Sequence, residues 1–184
     1  MERKDSRFRI VKEIFPSEII SIIGSILAGL VLSLIVLNFK SFPVLILLIP
    51  ALLSLRGNIC SPFIARTAKD LILGQFNSKN IAQNILSTYV LALITAFFIG
   101  MFCLLLNFLF FKLEYFTYSF FFLIPIISMI FTLSIIIPIS IFLNVIVFKF
   151  GLDPNSVIQP IMTAIGEFCN VVFFYLALII LGVP

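Results

Sequence analysis

Apolar positions along the chain gather into five long runs separated by short polar punctuation. The runs are Ile19–Leu37, Phe42 to about Leu55, Ile81–Phe110, Ser119–Phe148 and Val157–Gly182. A helix that crosses a bilayer needs about 20 residues at 1.5 Å rise each. The second run is short of that, so the polar stretch RGNICSP that follows it must either continue the helix or break it at membrane depth. The third and fourth runs exceed the requirement, which predicts tilt or extension into the headgroups. Pro125 and Pro138 give the fourth run two natural kink points. The polar connection KDLILGQFNSKN, Lys69–Asn80, reads as a short helix and a turn.

Composition turns this pattern into a fold class. Of the 184 residues, 62% are hydrophobic and 11% charged, against roughly 45–50% and 25% in a soluble domain. So much apolar surface cannot be buried within one chain of this size, so the bilayer is the expected solvent. The expected fold is an all-α integral membrane protein with five transmembrane helices. The runs are too long and too often repeated to be a signal peptide.

Charge gives an orientation. Arg3, Lys4, Arg7, Arg9 and Lys12 precede the first run, and Arg56, Arg66, Lys69 and Lys79 lie between the second and third. Lys149 lies between the fourth and fifth, while the other side receives only Lys40 and Lys112. Basic residues collect on the cytoplasmic side. The expected protein is therefore multi-pass in the plasma membrane, with the N-terminus inside and the C-terminus outside. Residues 1–18 form a basic N-terminal segment and residues 19–184 the five-helix domain. RFRIVKEIFPSEI reads either as an amphipathic helix on the inner leaflet, with Pro16–Ser17 starting the first span, or as a solvated basic tail. Beside a membrane span this basic segment does not point to nucleic acid.

The three cysteines, Cys60, Cys103 and Cys169, lack CxxC spacing, and the chain has no histidine. That argues against a thiolate or imidazole metal site and favours buried apolar cysteines. An intramembrane enzyme would need a nucleophile with its base, paired carboxylates or a metal cage, and none is in view. In the first run Ser21, Ser25 and Gly29, and likewise Gly24 and Ala28, recur at four-residue spacing. Small residues so placed let helix backbones approach closely, and packing is their expected role.

Of the eight acidic residues, only Glu167 stands deep in a run. If the last helix starts near Val157, it lies roughly 15 Å along the axis, close to the midplane. Gln159, Thr163, Gly166, Glu167 and Asn170 fall within an arc of about 100° at 100° per residue, a single polar stripe. One reading is a protonated acid acting as glue between helices. A cation path is favoured, because the one candidate basic partner, Arg56, stands near the cytoplasmic end of the second run. Arg56 is expected to anchor to headgroups or cap carbonyls rather than to touch an ion.

Ser54, Asn58 and Ser61 add oxygen ligands at near-helical spacing, with Gly57 allowing close approach and Pro62 freeing a backbone carbonyl. An all-oxygen set suits hard cations, magnesium or calcium, over zinc or copper. One carboxylate compensates a divalent charge poorly and five helices barely enclose a pore. A twofold homodimer resolves both problems by bringing two copies of Glu167 to one axis.

PALLSLRGN, with a short cytoplasmic helix after it, and GLDPNSVIQPIMTAIGE (Gly151–Glu167) together resemble the membrane domain of MgtE magnesium channels. They resemble still more the solute carrier family 41 branch and its single-domain archaeal relatives, from Ile10 to the C-terminus. The resemblance implies five membrane helices and a pore on the axis of a homodimer, lined by the second and fifth helices. It implies that Glu167 holds a hydrated Mg2+, with Thr163 (through its carbonyl), Gln159 and Asn58 as further metal-facing positions. Gly57, Ser54, Ser61, Gly166 and Asn170 complete the expected pore lining. The chain departs from the MgtE pattern in having glutamate for the pore aspartate and Ser61 for a second asparagine. The cytoplasmic magnesium-sensing domains have no counterpart in this sequence, so gating by them is not expected. The expected function is a channel or transporter for Mg2+ or other divalent cations. The alternatives are a proton-coupled transporter of another solute and a non-transporting membrane assembly subunit.

Overall fold

The computed structural model describes residues 7–38, 43–111 and 118–182. Arg3, Lys4, Lys40, Lys112, Glu114 and the expected start of the second span at Phe42 lie outside them. The described residues form helices α1 (Arg7–Asn38), α2 (Pro43–Ile72), α3 (Ser78–Leu106), α4 (Tyr118–Lys149) and α5 (Pro154–Ile180). A five-residue π-helical turn, Asn107–Phe111, prolongs α3. All five helices are long and apolar enough to cross a membrane.

The structure decides two of the sequence expectations. Of the two readings of RGNICSP it takes continuation: the second helix runs unbroken past Leu55 through Arg56, Gly57, Asn58 and Pro62 to Ile72. Its polar residues stay helical because neighbouring helices and an open polar face, rather than hydrocarbon, surround them. Lys69–Asn80 is therefore not a separate short helix. It is the last turn of α2, a reversal at Gly74 (φ 67°) and the first turn of α3. The Gln75 amide donates to the Asp70 carbonyl at 2.8 Å, and the Asn77 side chain caps α3 through the Asn80 amide. Upstream, α1 is continuous from Arg7 through Pro16, so the segment before the first span is helical from Arg7 onward.

The core is built around α2, α4 and α5, where Leu52, Phe63, Ile124, Leu133, Ile158 and Met162 are buried. One small-residue edge of α3 (Thr88, Ala92, Ala96, Gly100, Cys103) is buried. At Gly100 an added Cβ would lie 3.1 Å from the Phe121 carbonyl carbon of α4. Small residues are the packing device expected where lipid supplies no hydrophobic drive between helices. An amide network locks α2 to α3: Arg66 Nε donates to Asn84 Oδ1 at 2.6 Å, and Asn84 Nδ2 to Thr67 Oγ1 at 3.1 Å. The first helix packs chiefly on α5, and Ile22, Ile26, Leu30 and Leu34 on its other side are exposed.

The small residues of α1 divide their work. At Gly24 an added Cβ would lie 2.8 Å from the Ala164 Cα, and Ala28 is buried with Val171. That is the packing role expected of them. Gly29 meets nothing within 4 Å. Ser25 does something else.

Candidate functional site

Glu167 is the central residue of α5 (Pro154–Ile180), and its two carboxylate oxygens face different helices. Oε2 accepts a hydrogen bond from Ser25 Oγ on α1. Oε1 lies 3.9 Å from Arg56 Nη2 on α2, an ion pair longer than a hydrogen bond. The side chain of Arg56 is 4% exposed and that of Glu167 25%, so of the two only the carboxylate keeps an outward face.

Arg56, the one candidate basic partner in the sequence, does reach Glu167. Because α2 continues to Ile72, Arg56 stands mid-helix rather than at the headgroups. It does cap a carbonyl, as expected: Nη1 donates to Met162 O on α5 at 3.2 Å. Its Nε has no hydrogen-bond partner among the described residues. Gly166 provides the space, since a Cβ there would lie 2.8 Å from Arg56 Cδ and 2.9 Å from Cζ. Gly166 is thus a buried seat for the guanidinium, not an open lining position. A charge held this deep is tolerable only when paired and hydrogen-bonded.

The stripe expected on α5 separates into an open part and a closed part. Gln159 Nε2 donates to Ser61 Oγ at 3.1 Å, joining α5 to α2, and Thr163 Oγ1 donates to the Gln159 carbonyl at 2.9 Å. Asn170 faces inward instead. It is 2% exposed, and its Oδ1 accepts from Ser128 and Thr132 of α4, each at 3.4 Å. Asn170 shares the angular arc of Gln159 and Thr163 on α5, but α4 covers that face at the level of Asn170. Asn170 is therefore a link between helices and not part of the open lining.

On α2, Ser54 and Asn58 are exposed and Gly57 and Ser61 half-buried. Nothing lies within 4 Å of where a Gly57 Cβ would stand. Pro62 has no amide hydrogen for the Asn58 carbonyl, which leaves that oxygen without its helical donor. Ser54, Gly57, Asn58, Ser61, Gln159, Thr163 and Glu167 thus make one polar edge along α2 and α5, exposed at Ser54, Asn58 and Gln159 and half-buried at the other four. Among the described residues no group of three or more His, Cys, Asp or Glu side chains forms. The oxygens on this edge come from a single carboxylate, hydroxyls, amides and carbonyls.

A family model described as MgtE, divalent cation transporter, matches residues 49–177, well over half of the chain and all of this polar edge. The chain belongs to the MgtE family. Membership makes it a divalent cation transporter and not an enzyme. Its five apolar helices make it a multi-pass membrane protein. No curated protein and no solved structure matches the chain.

Sequence reasoning missed two members of the site. Ser25 was hidden in a set of small residues whose plainest use is packing. Arg56 was visible but placed at a helix end by the apparent length of its run.

Proposed function

We propose that the protein moves hydrated divalent cations, Mg2+ foremost, through a passage at the twofold axis of a homodimer. The walls are α2 and α5, and Glu167 is the charged station within them. One observation carries the reading: the polar edge from Ser54 to Glu167 keeps an open face midway along α2 and α5, helices long and apolar enough to cross a membrane. Polar side chains at this depth belong against protein or water rather than lipid. A second copy supplies the other wall and a second carboxylate. Gln159, Thr163 and Asn58 meet the water shell of the ion. Mg2+ sheds its waters reluctantly and is held through them by few carboxylates.

The Arg56–Glu167 pair gives the empty passage a resting arrangement. Without an ion, Arg56 and Ser25 engage the carboxylate, so it is not left as an uncompensated charge. An arriving divalent cation competes with Arg56 for Oε1. The domain spans 19–184 with residues 1–18 ahead of it, the N-terminus is cytoplasmic and the membrane is the plasma membrane. Influx is then driven by the membrane potential, about 2.3 kcal/mol per charge per 100 mV and twice that for a divalent ion.

The test is Mg2+ uptake into proteoliposomes, read by an internal fluorescent reporter, for wild type and Glu167→Ala. Saturable uptake that the substitution removes supports the assignment; uptake unchanged by it overturns it. Proton movement without divalent saturation favours a proton-coupled carrier of another solute. No flux and no thermal stabilisation by Mg2+ favours an assembly subunit.

A further inference from the structure

A polar groove of about 360 Å³ lies between the first halves of α1 and α5 and shares Gln159 and Thr163 with the α2–α5 edge. It is lined by Glu18 and Ser21 of α1 and by Asn155, Ser156, Gln159 and Thr163 of α5, with no lysine or arginine in the lining. We propose that this groove is a second station for a hydrated divalent cation, with Glu18 as its charged ligand and Glu167 as the next station along. The proposal rests on the reading of the chain as a cation path, and it adds α1 to that path.

Register supports it. Glu18, Ser21 and Ser25 follow one another at three and four residues on α1. Ser156, Gln159, Thr163 and Glu167 do so at three, four and four on α5. Such spacing keeps each set on one helical face. Gly24 meets Ala164 and Ser25 bonds Glu167, so the two faces confront each other and end at the same carboxylate.

Hydrogen-bond direction gives the groove its chemistry. Ser156 Oγ donates to Asp153 Oδ2 at 2.6 Å and Thr163 Oγ1 to the Gln159 carbonyl at 2.9 Å. Their protons are committed to the protein, so their oxygens are presented as acceptors. Pro160, also in the lining, has no amide hydrogen to give the Ser156 carbonyl, which frees a further acceptor. A hydrated cation offers only donors, the hydrogens of its waters, and an acceptor-rich wall with one carboxylate suits it. Six waters at about 30 Å³ each occupy about 180 Å³, so an octahedral hydrate fits the groove without losing ligands.

The test uses Mn2+ as the spectroscopic probe for binding and Mg2+ for flux. Glu18 is exposed, so Glu18→Gln leaves the packing intact. By electron paramagnetic resonance, wild type is expected to bind weakly held Mn2+ that Glu18→Gln lacks and Glu167→Gln retains, with Glu18→Asp restoring it. In proteoliposomes, Glu18→Gln is expected to raise the Mg2+ concentration for half-maximal uptake on the order of tenfold. That matches a divalent charge about 5 Å from a carboxylate at water-like permittivity. The maximal rate is expected to hold. If Glu18→Gln binds Mn2+ and takes up Mg2+ as wild type does, the second station is overturned while the transport reading stands. If Glu18-dependent Mn2+ binding is present but wild type moves no Mg2+, the transport reading fails and the groove remains a cation site.

Discussion

Gly166 of α5 and Arg56 of α2 occupy space that only a glycine can share with a guanidinium: a Cβ at 166 would lie 2.8 Å from Arg56 Cδ and 2.9 Å from Cζ. The close atoms all belong to the outer part of the Arg56 side chain, so an added methyl is relieved by moving the guanidinium off its place beside Glu167. Gly166→Ala is expected to displace Arg56 and to destabilise by about 1–3 kcal/mol, the usual range for overpacking. Thermal unfolding in detergent checks the stability, and Mg2+ uptake should fall with it. A variant as stable and active as wild type would show that Arg56 does not need this seat.

The Arg56–Glu167 pair should behave as a coupled unit. Removing either partner strands the other, which costs about 3–5 kcal/mol for a fully buried pair. Because Glu167 is a quarter exposed, about 2 kcal/mol is the expected loss for Arg56→Gln or Glu167→Gln. The double variant should be less destabilised than the sum of the two single ones, as contacting partners are. A double-mutant cycle by denaturant unfolding measures this; strict additivity would mean the pair does not interact.

Two glycines of α1 should respond in opposite ways. Gly24→Ala sets a methyl against the α5 backbone, 2.8 Å from the Ala164 Cα. It should loosen α1 from α5, lower the melting temperature and carry Ser25 away from Glu167. Gly29→Ala meets nothing within 4 Å and should be neutral or stabilising by up to about 1 kcal/mol, the difference in helix propensity. Equal effects at the two sites would remove Gly24 from the packing.

Cross-linking tests the twofold arrangement. The three native cysteines, Cys60, Cys103 and Cys169, are free and can be replaced to give a cysteine-free background. In it, Asn58→Cys or Ser54→Cys on the open edge of α2 should form disulfide-linked dimers in native membranes under mild oxidation. Leu86→Cys, exposed on α3, should not. Dimers at Leu86 but not at Asn58 would place the contact on another face.

Much of the fold was legible because its determinants are local. Each apolar run contributes its own transfer free energy and 1.5 Å of rise per residue, so helix number and the depth of Glu167 follow from counting. The end of the second helix was left open because its polar residues lowered the apparent hydropathy, and hydropathy ignores neighbours that satisfy them. Arg56 is the example: beside Glu167 and the Met162 carbonyl it can stay mid-helix, whereas facing lipid it could not.

The order of amino acids alone determined that the chain has five helices suited to a bilayer, a single deep carboxylate and oxygen-bearing residues along α2 and α5. Periodicity also gave the rotation of each polar side chain about its own helix. What each side chain meets was decided only by tertiary packing, because the elements covering one helical face change along its length. Gln159 and Asn170 share a face of α5 and have opposite surroundings, one beside an open edge and the other beneath α4. In the same way Ser25 met Glu167, and Gly166 made room for Arg56, only once α1 and α2 had packed against α5.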